Sequence, residues 1–319
     1  MGSLKTAVVT GGAGFIGRWV VKRLLELGKP VLVVDDLSSG SSSNLSEFEG
    51  QEGYLGLCRL PVHDRPALVA ALPKDADVIF HLAARINVQA SIDNPRDTFE
   101  RDVVGTFGVL EWAREQRVKV VLMSTCMVYA PSPGSPMTED HPVLPASPYA
   151  ACKLSCEHLA LSYHKAYHLP VTVLRPFNTY GPFQRSDGEG GVVSIFLRRR
   201  LAGAPLVVFG DGAQTRDLLY VEDCASFVVS AGIGAQADGQ VLNAGTGTDI
   251  SILALARLIG GGEVPVVLTP HPHPQAEIPR LICDPSRARD ILDWRPKVEL
   301  AEGLERTRNW IRGQLPAQS

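Results

Sequence analysis

The sequence predicts a doubly wound α/β fold, in which helices cover both faces of a parallel sheet. Through the first half of the chain, short uninterrupted apolar runs alternate with segments of helical periodicity. The first apolar run leads directly into a glycine-rich turn. Because both faces of a parallel sheet are buried, its strands are continuous apolar runs. The alternation of such runs with helices therefore predicts a parallel sheet with crossover helices.

The positions of these runs predict the individual elements. Residues 6–10 form the first predicted strand, and residues 18–27 form an amphipathic helix that ends at Gly28. The further predicted strands are residues 30–35, 78–82, 119–124 and 171–175, and the further helices are residues 97–116 and 148–167. Beyond about Pro176, prolines and glycines become denser, which indicates a smaller α/β lobe. We expect a main domain over residues 1–175 and a substrate lobe over residues 176–319. Segments near residues 215–250, such as 240–244, are able to return to the main sheet.

Composition limits the classes of partner. The 319 residues are 45% hydrophobic and 20% charged, which is ordinary for a globular protein with a substantial core. The net charge is −3 and the basic residues are scattered, so no nucleic-acid partner is expected. The sequence has neither a signal-peptide pattern nor an apolar run of about 20 residues, so we expect a cytoplasmic protein without membrane contact. Six cysteines without C-x-x-C spacing predict reduced thiols and no metal site.

A dinucleotide site is predicted at the first strand-to-helix turn, TGGAGFIG. Three of its four glycines, Gly11, Gly14 and Gly17, have the spacing that permits a tight turn, a close backbone approach to a pyrophosphate, and close packing of helix on strand. The N-terminus of the following helix presents N–H groups to the phosphates. The main domain is therefore predicted to be a Rossmann domain. Its predicted cofactor-binding residues at the turn are Gly11, Gly14, Phe15, Ile16 and Gly17.

The residues that end the second predicted strand indicate which dinucleotide is bound. Asp35 can accept hydrogen bonds from the ribose hydroxyls, and its carboxylate repels a 2′-phosphate. Asp36 adds a second negative charge, and no arginine stands beside the two in the sequence. NAD is therefore predicted in preference to NADP.

A second motif, Tyr149-x-x-x-Lys153, lies in a helical segment that begins near Pro148. The spacing places both side chains on one face of the helix. A tyrosine of ordinary pKa, about 10, is a poor base at neutral pH. The Lys153 ammonium and a cationic nicotinamide both favour the phenolate. We therefore predict that Tyr149 removes a hydroxyl proton while a hydride leaves the same carbon, and that Lys153 also holds the nicotinamide ribose.

These motifs occur in an order that resembles the extended short-chain dehydrogenase/reductase family, the nucleotide-sugar epimerases and dehydratases. The resemblance covers nearly the whole chain. In chain order it is carried by TGGAGFIG, HLAA at residues 81–84, V-x-x-S at 88–91, STCMVY at 124–129, Y-x-x-x-K, RPFNTYGP at 175–182, GDGAQTRDLLYVED at 210–223 and NAGTG at 243–247.

The resemblance implies a nucleotide-diphosphate sugar that is oxidised transiently at C4 by tightly held NAD. It also implies a homodimer joined through the helices that contain Thr106 and Tyr149. Residue by residue, Thr125 corresponds to a hydroxyl that hydrogen-bonds the reacting sugar oxygen. The further cofactor contacts implied are Leu82, Ala83 and Ala84, and the further substrate contacts are Arg85, Asn178, Arg216 and Arg280.

The two positions after Thr125 bear on the reaction. In the related 4,6-dehydratases an aspartate and a glutamate stand there as proton carriers, whereas this chain has Cys126 and Met127. Methionine cannot transfer protons, so the sequence favours a 4-epimerase acting on a UDP-hexose or a related nucleotide sugar. A thiol of lowered pKa can serve as an acid or base. Cys126 therefore leaves open a C3 or C5 epimerase, or a nucleotide-hexose dehydratase, and its alternative role is to fill space. The intact Tyr149 and Lys153 pair argues against a nucleotide sensor without turnover.

Overall fold

The computed structural model describes residues 5–132, 134, 136–186, 191–271 and 278–315. The strands are β1 (Thr6–Thr10), β2 (Val31–Val34), β3 (Tyr54–Cys58), β4 (Ala76–His81), β5 (Lys119–Met123), β6 (Val171–Pro176), β7 (Asn178–Tyr180), β8 (Leu206–Phe209), β9 (Thr215–Tyr220), β10 (Val241–Ala244), β11 (Asp249–Ser251), β12 (Val266–Thr269) and β13 (Arg280–Leu281).

The α-helices are α1 (Phe15–Glu26), α2 (Arg65–Ala71), α3 (Val88–Asp93), α4 (Pro95–Thr98), α5 (Gly105–Gln116), α6 (Pro148–Tyr167), α7 (Val192–Leu201), α8 (Val221–Ile233), α9 (Ile252–Gly260), α10 (Ser286–Leu292) and α11 (Leu300–Gln314). Two 3-10 turns cover Ser42–Phe48 and Cys126–Val128, and a π-helical turn covers Phe99–Val104. Among the described residues, no helix is long and apolar enough to cross a membrane.

The main sheet has seven strands in the order β10-β6-β5-β4-β1-β2-β3. Every neighbouring pair in it is parallel. The strand order reverses at β1, so a crevice opens between the carboxyl ends of β1 and β4, where doubly wound sheets bind their ligands. The predicted doubly wound sheet is therefore confirmed. Strand β3 was not predicted, because its sequence YLGLC is partly exposed and contains a glycine.

Helices pack on both faces of this sheet, and successive residues of a strand are buried on opposite faces. Ala7 and Val9 of β1 belong to a buried cluster with α1 and α8. Val8, which points to the opposite face, belongs to a second cluster with α5 and α6. This two-sided burial explains why the strands are continuous apolar runs in the sequence.

A smaller lobe is built from the remaining strands. β9 pairs with β7, β11 and β13, and β8 pairs with β12. Helices α7, α9 and α11 supply the apolar core of this lobe. The chain passes between the smaller lobe and the main sheet more than once. Helix α8, which follows β9 of the smaller lobe, packs on α1, and β10 pairs with β6 of the main sheet.

The helix predicted over residues 97–116 contains a π-helical turn in the structure. Helix α4 ends at Thr98, and the π-helical turn leads into α5. A π-helical turn accommodates one more residue than an α-helical turn does, and such turns are frequent at functional sites. This one places Asp102 in the protein interior, with its backbone oxygen accepting a hydrogen bond from the Cys156 thiol at 3.3 Å. The helix predicted over residues 97–116 is therefore confirmed in its extent, and the π-helical turn within it, at a position that faces α6, was not predicted.

Candidate active site

The glycine turn after β1 is too crowded for any other residue type at two positions. Gly11 has φ +70°, and a Cβ atom on it would lie 2.7 Å from the backbone nitrogen of Ala83. A Cβ atom on Gly17 would lie 2.1 Å from the carbonyl oxygen of Gly11. The turn thus brings the start of α1 against the ends of β1 and β4. It leaves the backbone exposed toward the crevice between the two strands.

The N-terminus of α1 is suited to an anion. The helix begins after Gly14, and within the described residues no side chain caps its first turn. Uncapped N–H groups and the helix dipole together form a phosphate site. Phe15 and Ile16, the first residues of α1, are half-buried against the core. Leu82 and Ala83 close the other side of the crevice, where their backbone nitrogens donate to Thr10 at 3.1 and 3.3 Å.

Asp35 lies immediately after β2 beside the glycine turn. Its carboxylate accepts hydrogen bonds from the backbone nitrogens of Ala13 at 3.0 Å and Leu37 at 2.8 Å. Burial raises the pKa of this carboxyl group, although the two backbone donors oppose the shift. An anion held at this position suits the two hydroxyls of a ribose. Together with the glycine turn and the uncapped helix, Asp35 makes the crevice fit NAD.

Asp36 has a partner that the sequence did not suggest. Arg101, from the π-helical turn, places Nη1 2.8 Å from Oδ2 of Asp36, and its Nε lies 2.8 Å from Asp97. Burial opposes the ionisation of Asp36, but hydrogen bonds from Ser38 and Arg101 outweigh it and lower its pKa. An arginine therefore does lie beside Asp36 in the folded protein, although none is close to it in the sequence, and the prediction was wrong on this point. Asp36 and Asp97 compensate the charge of Arg101, so this ion-paired group does not decide between NAD and NADP. The preference for NAD therefore depends on Asp35.

The crowding at Gly17 gives a testable prediction. We expect Gly17→Ala to weaken NAD binding about 10- to 100-fold, because relieving the contact with the Gly11 oxygen requires a backbone shift costing roughly 1–3 kcal/mol. Isothermal titration calorimetry with NAD measures the effect. Gly313→Ala is the matched control, since a Cβ atom there meets nothing within 4 Å and binding should not change. Equal affinity in Gly17→Ala and the parent protein would show that the turn does not hold the cofactor.

Helix α6 carries the predicted reacting pair. The Ser147 hydroxyl caps the helix by accepting from the Ala150 nitrogen at 3.2 Å. The buried Ser91 hydroxyl, the last residue of the V-x-x-S motif, accepts from the Tyr149 nitrogen at 3.1 Å. Lys153, one turn later, donates from Nζ to the carbonyl oxygen of Met123 at 3.0 Å. Both reacting side chains are buried, with 7% of Tyr149 and 5% of Lys153 exposed.

The proton affinity of Tyr149 differs from the expectation. Burial raises the pKa of its phenol well above the ordinary value, and the negative charge of Asp102 raises it further, whereas a hydrogen bond with Thr125 lowers it. The pKa of Tyr149 within the chain itself is therefore raised, contrary to the predicted lowering by Lys153. Of the two groups that were predicted to favour the phenolate, the cationic nicotinamide is the one that remains.

Thr125 lies at the end of β5 and begins the 3-10 turn Cys126–Val128. Its Oγ1 accepts from the Met127 nitrogen at 3.2 Å, and its hydroxyl lies near enough to the Tyr149 phenol to lower the pKa of that group. The structure therefore brings together Thr125, Tyr149 and Lys153, which the sequence separates by as many as 28 positions.

Cys126 points into an apolar cluster. Only 3% of it is exposed, and its neighbours in the cluster are Tyr129, Met137, Phe177, Ile278, Leu281 and Cys283, with Met127 packed against them. Burial raises the pKa of the Cys126 thiol to about 12, although the Arg216 charge opposes the shift. A thiol with this pKa stays protonated and unreactive at neutral pH. The geometry favours the interpretation that Cys126 fills space.

The predicted substrate contacts have different surroundings. The Asn178 Oδ1 is buried without a hydrogen-bond partner in the described part of the chain, as expected of an atom that binds a ligand. The Arg216 Nη1 donates to the carbonyl oxygens of residues 215 and 278 at 2.7 and 3.0 Å. Arg85 pairs with Asp97 at 3.1 Å, and Arg280 pairs with Asp249 at 2.9 Å. In these two ion pairs the aspartates compensate the arginine charges with which a diphosphate would otherwise pair.

Three residues near the site were not predicted to act there. Ser91 and Asp102 pack against α6, and Arg101 pairs with Asp36. The sequence signal for Ser91 is the V-x-x-S motif that it ends. In the described ranges, no group of three or more histidine, cysteine or acidic side chains is placed to hold a metal ion.

The fold and the site define a dinucleotide-binding enzyme with a tyrosine and lysine pair beside its crevice. The model of the NAD-dependent epimerase/dehydratase family matches residues 7–245, and the chain belongs to this family. NAD is its cofactor. Its relatives also include decarboxylases of UDP-sugar acids and a dTDP-glucose 4,6-dehydratase, so family membership leaves the reaction open.

Three relatives illustrate the similarity. A UDP-glucose 4-epimerase of Mycolicibacterium smegmatis is 39% identical over 313 residues, which are 96% of this chain and 98% of the relative. The X-ray structure of Pal from Bacillus thuringiensis has a TM-score of 0.95 and 50% identity, covering 97% of this chain and 100% of that one. A UDP-glucose 4-epimerase from Thermotoga maritima, crystallised with UDP-glucose, has a TM-score of 0.90 and 34% identity, covering 98% and 100% of the two chains.

Proposed function

We propose that the protein is an NAD-dependent 4-epimerase of a UDP-hexose or a related nucleotide sugar. One observation carries the proposal. Thr125, Tyr149 and Lys153 are assembled, whereas the two residues after Thr125 offer no proton carrier at neutral pH. Inversion at C4 through a keto sugar requires one proton carrier, and elimination or inversion at C3 or C5 requires more. UDP is favoured as the nucleotide because similar proteins are UDP-sugar enzymes.

The chain's own residues perform the proton chemistry in this proposal. Tyr149, as the phenolate, accepts the proton of the sugar's C4 hydroxyl and later returns it to the C4 oxygen. Lys153 stabilises the phenolate by its charge, and Thr125 donates a hydrogen bond at the reacting oxygen. NAD supplies a reversible hydride acceptor when bound. A hydride held there would be returned to the opposite face of C4, so NAD would not be consumed.

The proposal includes the site roles and partners that the sequence suggested. Asn178, with its buried carbonyl oxygen, is the substrate contact that the structure supports best. Arg216, Arg85 and Arg280 serve as diphosphate contacts only when their present partners are exchanged for the ligand. A homodimer through α5 and α6 is part of the proposal, and it is supported by the exposed apolar side chains of Phe99, Val104 and Phe107 along this side.

The proposal is tested by incubating the purified protein with UDP-glucose, UDP-N-acetylglucosamine and UDP-glucuronate in D₂O. Proton NMR should show the C4 epimer of at least one sugar. We expect no deuterium at C4, because the hydride never exchanges with solvent, and none at C3 or C5, because no proton is removed there. Loss of water would indicate a dehydratase, and release of CO₂ from UDP-glucuronate would indicate a decarboxylase. Either product without a C4 epimer would contradict the proposal.

The alternative reaction gives a second prediction, for Cys126→Ser. We expect kcat to change by less than about threefold with the same product, because a buried thiol whose pKa is about 12 stays protonated and transfers no proton at neutral pH. Turnover and product analysis by NMR measure this. Cys224→Ser, at another fully buried thiol in the main core, reports the cost of packing alone. A large loss of activity in Cys126→Ser, with Cys224→Ser unaffected, would favour proton transfer by Cys126.

A further inference from the structure

Three ion pairs link four charged side chains beside the cofactor crevice. Arg101, from the π-helical turn, contacts Asp36 through Nη1 and Asp97 through Nε, both at 2.8 Å. Asp97, on α4, also accepts from the Nε of Arg85 at 3.1 Å. The backbone nitrogen of Arg85 donates to the carboxylate of Asp102 at 2.7 Å, which anchors this end of the chain of charges. Asp97 therefore holds Arg101 in an orientation in which its Nη1 reaches Asp36.

These four side chains join the two sides of the crevice. Asp36 follows β2 and is next to Asp35, the residue that suits the ribose hydroxyls. Arg85 lies two residues beyond Ala83, which closes the opposite side. Strand β1, whose glycine turn leads to the phosphate site, lies between β2 and β4 in the sheet. Because the three strands are parallel, their carboxyl ends share one edge, and the contact of Arg101 with Asp36 connects the β4 side to the β2 side.

The contact between Arg101 and Asp36 can open without any change in the sheet. It joins two side chains of which 27% and 25% are exposed, whereas backbone hydrogen bonds hold the parallel strands beneath it. Burial opposes the ionisation of Asp36, but hydrogen bonds from Ser38 and Arg101 lower its pKa, so both partners are charged at neutral pH. The pKa of Asp97 is also lowered, mainly by its hydrogen bond with Arg101. Linked ion pairs of this kind contribute more than an isolated exposed pair does.

We propose that Arg101 retains bound NAD by closing the cofactor crevice through its contact with Asp36, while Asp97 holds its guanidinium in place. The dinucleotide enters or leaves when this contact opens. NAD is the cofactor of the family, so the inference is independent of which sugar is converted. It is also consistent with the proposed 4-epimerase, in which NAD is not consumed and slow release costs no turnover.

The test measures how fast the cofactor leaves. The protein is loaded with NADH and mixed in a stopped-flow instrument with excess NAD, and the change in nicotinamide fluorescence gives the release rate. In Arg101→Met, which keeps a long side chain without the charge, we expect release to be about 3- to 10-fold faster, since a linked ion pair is lost. Raising the salt concentration from about 0.05 to 0.5 M should speed release in the parent protein and much less in the variant, because salt screens the contact.

Two further variants show whether the contact itself is responsible. Asp36→Asn breaks the same contact from the other side and should speed release to a similar extent. A general attraction between Arg101 and the cofactor's phosphates would instead give opposite effects in the two variants, because Asp36 carries the opposite charge. Arg96→Met is the matched control. Arg96 is well exposed and pairs with Glu100 at 2.8 Å within the same helical segment, so its loss should alter neither the release rate nor the salt dependence.

The outcomes separate this inference from the proposed function. Unchanged release in Arg101→Met, or slower release in Asp36→Asn, overturns the inference whichever sugar is converted. The double variant should release NADH no faster than either single variant, since all three lack the same contact, and a further increase would overturn the inference too. If Arg101→Met does not fold, Asp36→Asn decides alone, and unchanged release there is contrary to the inference. Faster release in a protein that epimerises no nucleotide sugar supports the inference and contradicts the proposed function.

Discussion

Tyr149→Phe is expected to lower kcat about 10²- to 10⁴-fold, which is the usual contribution of a positioned proton carrier. The phenol is buried, lies near the Thr125 hydroxyl and precedes Lys153 by one helical turn. Phenylalanine retains the ring and its packing but has no oxygen to accept the proton. We therefore expect NAD binding and the thermal midpoint to stay close to those of the parent protein. Steady-state turnover, NAD titration and thermal unfolding measure the three quantities.

Tyr163→Phe is the matched control for this prediction. Tyr163 is on the same helix and equally buried, and its hydroxyl donates to the Glu111 Oε1 at 2.7 Å, away from the crevice. Its removal should cost stability of about 1 kcal/mol and leave kcat unchanged. If Tyr149→Phe keeps more than about a tenth of the activity, Tyr149 is not the proton carrier.

Arg175→Leu is expected to lower the free energy of unfolding by about 3–5 kcal/mol, which is the cost of leaving a buried charge without its partner. The Arg175 guanidinium contacts both carboxylate oxygens of Glu157, at 2.9 and 2.5 Å, and both side chains are almost fully buried. The Ser124 hydroxyl also donates to Glu157. These bonds fasten α6 to the ends of β5 and β6. Weakening them therefore moves Tyr149 relative to Thr125 and lowers kcat as well.

Denaturant unfolding of a double-mutant cycle measures the coupling. The variant Arg175→Leu with Glu157→Leu should recover most of the lost stability, because no unpaired charge remains in it. Arg306→Ala, which breaks an exposed ion pair with Glu302, is the surface control and should cost no more than about 1 kcal/mol. If Arg175→Leu costs as little as the surface control, the buried pair does not hold α6 in place.

Local chemistry determined much of the fold in advance. The strand over residues 6–10 and the helix over residues 148–167 have the predicted bounds. The glycine turn, the Ser147 cap and the helical spacing of Tyr149 and Lys153 each depend on residues a few positions apart, so the sequence is sufficient for them. β3 and the π-helical turn were missed. A half-exposed strand lacks a continuous apolar run, and a π turn has nearly the periodicity of an α-helix.

The sequence by itself determined the doubly wound sheet, the glycine turn, the reacting pair and the resemblance to NAD-dependent epimerases. Only the tertiary structure decided the electrostatics around that pair. The contact between Asp36 and Arg101 spans 65 positions, and the apolar cluster around Cys126 joins residues from 126 to 283. The pKa of a side chain depends on burial and on charges within a few ångströms, and both are set when distant segments come together. For this reason the proton affinities of Cys126, Asp102 and Tyr149 could not be inferred from spacing alone.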